Sequence, residues 1–146
     1  MALFPTKSQM NRIEGMKEDL ARAKVISLTT FDENGEARSR PMTNFNDDPY
    51  ETMWFPTFEY TRKVKDIRGN PKVLLSFPSL SEGEMYEIEG RAEFAPRKEV
   101  NERWEWWFLY WYPTRYDMAI LTDEPFIDRA IIYVHPEKAR VRTHEK

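Results

Sequence analysis

The residues best equipped for chemistry are Thr61, Arg62 and Lys63, which open the stretch TRKVKDIRGNPKVLL. A threonine hydroxyl, a forked guanidinium and an ammonium can converge on one anion. The stretch reads as a short helix: Val64 and Ile67 can face a core, and Gly69-Asn70-Pro71 is a stop signal. Cations in a first turn oppose the helix dipole, whose N-terminal end favours anions. A doubly charged phosphate bound there reverses that balance. The plainer account makes Thr61 a helix cap, with the cations solvated or paired with Glu59 or Asp66. The local pattern leaves both open. A second basic pair, Arg38 and Arg40, falls on one face of a strand just before Pro41-Met42. It is either part of the same anion site or an exposed strand face.

Other chemistries find little support. The chain has no cysteine, which excludes disulfides, thiolate metal sites and cysteine nucleophiles. Its two histidines, His135 and His144, lack metal-ligand spacing, so no metal site is expected. Glu87, Glu89 and Glu93 alternate along a strand and read as a solvated face. Neither a nucleophile elbow nor a phosphate-binding glycine loop occurs, and no catalytic acid or base stands out. The net charge of -3 and pI near 5.5 argue against nucleic-acid binding. MALFPTKSQM lacks a signal-peptide pattern, and no apolar run reaches membrane-spanning length, so a cytoplasmic location without membrane association is expected.

The elements that must position these residues follow from periodicity. At 146 residues, one domain spanning 1–146 is expected. Met10, Ile13, Met16 or Lys17, and Leu20 predict a helix over about Ser8 to Ala23. KVISLTTF and ARSRPMTNF flank Asn34-Gly35, which predicts a hairpin with a type I′ turn. Pro41 demands an edge or a bulge, and TMWFPT is a further strand interrupted by proline. KVLLSF follows the short helix. In EMYEIEGRAEF, Tyr86, Ile88, Ala92 and Phe94 share one face, with Gly90 marking a bulge or bend. From about Arg97 a helix carries Val100, Trp104, Trp107, Phe108 and Trp111. With five tryptophans in the chain, this stripe can cover a flat ligand, but its spacing favours packing against the sheet or a second subunit. RAIIYVHP and KARVRT are closing strands. Hairpin-linked strands predict an antiparallel, mainly β (α+β) sheet closed into a barrel with flanking helices.

The succession AKVISLTTFDENGEARSRPM, MWFPTFEYTRKVKDIRGNPKVLLSF and YEIEGRAEF resembles the pyridoxamine 5′-phosphate oxidase-like family, in particular its general-stress-protein branch. The resemblance implies a six-stranded antiparallel split barrel that forms homodimers with FMN at the subunit interface. By position it implies that Arg40, Pro41, Met42 and Thr43 run along the flavin and phosphate. Pro56 and Thr57 would touch the cofactor from the next strand, and Thr61, Arg62 and Lys63 would grip the phosphate. It implies an FMN-dependent oxidoreductase that passes electrons between a reduced nicotinamide and a small molecule. The alternatives are a flavin-binding or flavin-storing stress protein without turnover, or the same barrel carrying deazaflavin F420 or haem. The sequence departs from true pyridoxamine phosphate oxidases in lacking the Arg-Leu-x-Pro segment; the chain reads KARVRTHEK instead, which argues against pyridoxal phosphate synthesis. Pro56 replaces a usual tyrosine, and no tryptophan follows Trp111.

Overall fold

The computed structural model describes residues 10–103 and 129–143. Trp104, Trp107, Phe108, Trp111, His144 and the first residues of the expected amino-terminal helix lie outside the described residues. The elements run α1 (Met16–Arg22), β1 (Val25–Phe31), β2 (Ala37–Thr43), β3 (Met53–Phe58), α2 (Arg62–Gly69), β4 (Lys72–Pro78), β5 (Glu84–Phe94) and β6 (Arg129–Thr143). A further helical segment covers 97–103. The strands form one six-stranded antiparallel sheet in the order β2-β1-β4-β5-β6-β3, curled as a split barrel.

The sheet order explains both awkward prolines. Pro41 lies in β2 and Pro56 in β3, and these are the two edge strands, where a missing N–H interrupts no second ladder. β5 alternates as its sequence requires: Tyr86, Ile88, Gly90 and Ala92 are buried, while Glu87, Glu89 and Arg91 turn outward. The outward carboxylates are not merely solvated. Arg140 on β6 bonds Glu87 and Glu89, and Arg142 lies 3.1 Å from Glu87, so opposite charges face each other across the strand pair. RAIIYVHP and KARVRT form one strand rather than two. Opposite Glu89 and Gly90 the register of β6 passes from Lys138 to Pro136, leaving Glu137 as the extra residue of a bulge.

Two local expectations need correction. First, α1 begins at Met16 rather than near Ser8, because Gly15 adopts φ 85 and breaks the helical path. Upstream, the chain is held by side chains instead: the Tyr50 hydroxyl bonds the N–H and C=O of Ile13, and Asn11 bonds both backbone groups of Ala139. Met10 is still buried and Ile13 still packs on the core, which is why the apolar spacing looked helical. Second, the β1–β2 hairpin is not type I′, since Asn34 has negative φ and only Gly35 is left-handed, at φ 81. The Asp32 carboxylate accepts the N–H groups of Asn34 and Glu36, and the Gly35 N–H bonds Asp32 O, giving a type I turn closed by a glycine. The stop at Gly69-Asn70-Pro71 holds as expected: α2 ends at Gly69, which is not left-handed. Asn70, which precedes Pro71, is extended at φ -150.

The main core joins Met16 and Leu20 of α1, Ile26 and Leu28 of β1, Phe55 of β3, Ile67 of α2, and Leu75, Phe77, Ile88 and Ile132 of the sheet. On the other face of β3 and β6, Val100 and Ile131 form a smaller cluster with Trp54, Phe58 and Tyr133. Among the described residues, no helix is long and apolar enough to cross a membrane.

Candidate functional site

Helix α2 is anchored by Val64 and Ile67, both buried, and this fixes where its first turn points. The Thr61 hydroxyl does not cap it. That hydroxyl donates to Phe58 O at 2.8 Å, and among the described residues no side chain caps the N–H groups at the start of the helix. Thr57, buried at the end of β3, brings a second hydroxyl to 3.5 Å from that of Thr61. The plainer pairing is also absent. Glu59 is engaged by Arg68 and Arg97, and among the described residues no carboxylate lies within ion-pair distance of Arg62 or Lys63.

Lys63 is half-buried, and that burial together with the nearby positive charge of Arg40 holds its ammonium below the ordinary lysine value. The Arg40 guanidinium is also depressed by burial, which a buried carboxylate, Asp66, partly offsets. Two like charges therefore share a poorly hydrated corner beside open backbone donors and two hydroxyls. A protein interior tolerates such an arrangement poorly unless an anion completes it. The chemistry of this donor set fits a phosphate.

The structure sorts the expected residues. Arg40 and Met42 share the inner face of β2, while Pro41 and Thr43 alternate to the other side. Thr57 is on the buried face of β3 and Pro56 on the opposite one. Arg62 is exposed and lines a groove of about 250 Å³ with Asp32, Arg38, Lys65 and Asp66, a groove that Lys63 does not line. Arg38 shares the face of Arg40 but is held by Asp32 at 2.9 Å. The cluster brought together is thus Arg40, Thr57, Thr61 and Lys63, with Arg62 at its margin.

Thr30 escaped the sequence reading, and Asp66 entered it only as a possible partner of the α2 cations. Thr30 is fully buried and donates to Asp66 Oδ2 at 2.8 Å, while Arg40 Nη1 donates to Thr30 Oγ1 at 2.8 Å. The available signal was Asp66 standing beside Ile67 on the core-facing side of an amphipathic helix.

A larger concavity, about 500 Å³, lies on the other face of the sheet between Trp54, Phe94, Arg103, Tyr133 and His135. Its Arg103 guanidinium lies over Trp54 and Tyr133, 4.8 and 5.9 Å from the ring centres, and His135 bonds Thr52. It lacks the paired buried cations of the α2 corner.

Known proteins agree with this architecture. General stress protein 26 of Bacillus subtilis is 33% identical over 108 residues, 70% of this chain and 75% of that protein. A solved protein related to general stress protein 26 from Clostridium acetobutylicum superposes with TM-score 0.65 at 21% identity, covering 88% of this chain and 86% of its own. An F420 reductase superposes with TM-score 0.65 at 24% identity, covering 88% and 98%. Residues 13–143 match the family model described as pyridoxamine 5′-phosphate oxidase, and with the fold and the general-stress-protein relative this places the chain in the pyridoxamine 5′-phosphate oxidase-like family.

Proposed function

We propose that this chain is an FMN-binding oxidoreductase that passes electrons between a reduced nicotinamide and a small acceptor, acting as a homodimer with the flavin at the subunit interface. The observation that carries this reading is the pair of half-buried cations, Lys63 and Arg40, beside the uncapped start of α2. When bound, FMN supplies the electron-carrying ring, and the protein positions and tunes it. In this reading Lys63 and Arg40 neutralise the phosphate, the Thr57 and Thr61 hydroxyls and the first α2 N–H groups orient it, and Met42 flanks it on β2. The resemblance in motif order supports the subunit-interface placement, which light scattering of the flavin-loaded protein tests.

The absorbance spectrum of the purified protein, followed by FMN titration, is the first test: a colourless protein that gains no FMN overturns the reading. Anaerobic addition of NADH or NADPH then separates an oxidoreductase from a flavin-holding protein without turnover. The second reading draws support from the site itself. Among the described residues the carboxylate beside these cations is Asp66, which is buried and accepts from Thr30, so none of them offers a ready proton donor there. Rapid bleaching of bound flavin favours the enzyme; an inert flavin favours the holding protein. Because an F420 reductase shares the fold, the spectrum is also to be compared with that of a deazaflavin.

The phosphate grip predicts a pH window. A phosphate monoester loses its second charge below about pH 6, so FMN affinity falls there. It falls again on the alkaline side as Lys63 deprotonates; its pKa is held below the ordinary 10.5 and is raised again by the bound anion. Riboflavin, which has no phosphate, should show neither limb when titrated by fluorescence quenching. Matching profiles for the two flavins would remove the phosphate from the explanation.

A further inference from the structure

We propose that Thr30 and Asp66 are positioning residues that aim Arg40 at the anion site, forming a relay from helix α2 through β1 to β2. The inference rests on the reading of that corner as a phosphate site. Asp66 projects from α2 one turn after Lys63 and is 5% exposed, a depth at which a carboxylate needs a partner. Its partner is the hydroxyl of Thr30, itself wholly buried on β1. That hydroxyl has one proton, given to Asp66, and lone pairs free to accept; Arg40 Nη1 fills one at 2.8 Å, with a longer contact of 3.4 Å to Leu28 O.

The polarity of the chain is therefore fixed: carboxylate, hydroxyl, guanidinium. A carboxylate accepts only, so Thr30 must donate to it and present acceptor density to Arg40. The remaining guanidinium N–H groups are left for a ligand in one orientation. The Arg38 guanidinium, two residues away, is instead tied to Asp32 at the hairpin, so the relay selects one of two neighbouring arginines. Asp66 and Lys63 belong to the same helix, so the relay also links the position of Arg40 to that of Lys63. Preorganisation of this kind reduces the ordering that a ligand must otherwise impose.

Thr30→Val keeps the shape of the side chain and removes both hydrogen bonds. We expect FMN affinity to fall about tenfold, the scale of losing a hydrogen bond to a charged group, with riboflavin affinity unchanged. Thr30→Ser, which restores the hydroxyl, should restore the FMN preference. If Thr30→Val does not fold, Asp66→Asn keeps an acceptor for Thr30 but removes the charge that supports Arg40, and should also lower the FMN-over-riboflavin ratio. A wild-type ratio in the folded variant overturns the relay. Equal affinity of the wild-type protein for FMN and riboflavin overturns the phosphate site instead, so the two failures are distinct.

Discussion

Replacing Lys63 by methionine is expected to weaken FMN binding by about 1.5–3 kcal/mol, a loss typical for a hydrogen bond to a charged group, while raising the melting temperature of the flavin-free protein. The opposite signs follow from one cause. Burial, then the charge of Arg40, lowers the folded-state pKa of Lys63 below the ordinary 10.5. A base whose folded pKa is depressed holds its proton less tightly when folded, so its charge costs stability wherever the unfolded chain is protonated. That cost is present at neutral pH and disappears only as pH rises through the unfolded value. Methionine matches the length of the stem and carries no charge, so the flavin-free chain gains. With FMN bound the order reverses, because the phosphate supplies the missing counter-charge. Functional groups held at a cost to the empty protein commonly show this trade.

Calorimetric or fluorescence titration with FMN, paired with thermal denaturation without flavin, reads both effects. Unchanged FMN affinity in Lys63→Met would remove the anion explanation for the cationic first turn. A fall in the flavin-free melting temperature would instead assign Lys63 a structural role. Arg62→Ala is the internal comparison. Arg62 is exposed and leans toward the Asp32–Arg38 groove, so its loss should cost less, under about 1 kcal/mol, as screened surface charges do. An equal loss in both variants would place the phosphate further toward the solvent side of α2.

How much of this was legible in the sequence depended on whether local pattern or tertiary contact decided each feature. The strands were legible because apolar alternation reports which face is buried, as in Tyr86, Ile88 and Ala92. Pro41 announced an edge or a bulge, and Pro56 an interruption of its strand, because a missing N–H is a local fact with a topological consequence; the sheet order puts both on edge strands. The cations of α2 were legible because they violate the helix dipole. The start of α1 was not, since links to Tyr50 and Ala139, far away in the chain, hold this segment so that Met10 is buried and Ile13 packs on the core, and such packing imitates helical spacing. Nor was the orientation of Thr61 legible: a threonine before a helix has the composition of a cap, and only the position of Phe58 O turns its hydroxyl elsewhere. The pairing of Thr30 with Asp66 was out of reach for a similar reason. They are 36 residues apart, and the pairing exists only once β1 and α2 pack together. Alternation also explains why a motif read as a block divides in space: Arg40-Pro41-Met42-Thr43 lies on a strand, so only every second side chain faces the site.

Gly90→Ala is expected to destabilise the protein by about 1–3 kcal/mol, the usual cost of overpacking a filled core, whether or not flavin is present. The reason is space rather than backbone freedom, since Gly90 is not left-handed. A Cβ at this position would sit 2.8 Å from Val134 Cγ1 and 2.9 Å from His135 O. The Val134 methyl can rotate away in part, but the carbonyl belongs to the backbone of β6, next to the bulge at Glu137. Moving it disturbs the longest strand pair of the sheet, β5 with β6, from which β3 and its Thr57 hang at the edge. For a chain of this size such a loss corresponds to a fall of roughly 3–10 °C in melting temperature. Gly69→Ala supplies the control: nothing lies within 4 Å of a Cβ there, so reduced freedom of the unfolded chain should leave it neutral or stabilised by up to about 1 kcal/mol. If Gly90→Ala melts with the wild-type protein, the close approach of β6 at the bulge is not what requires glycine. If instead it loses FMN affinity while keeping its melting temperature, the bulge acts on the edge strand and on the site rather than on the core.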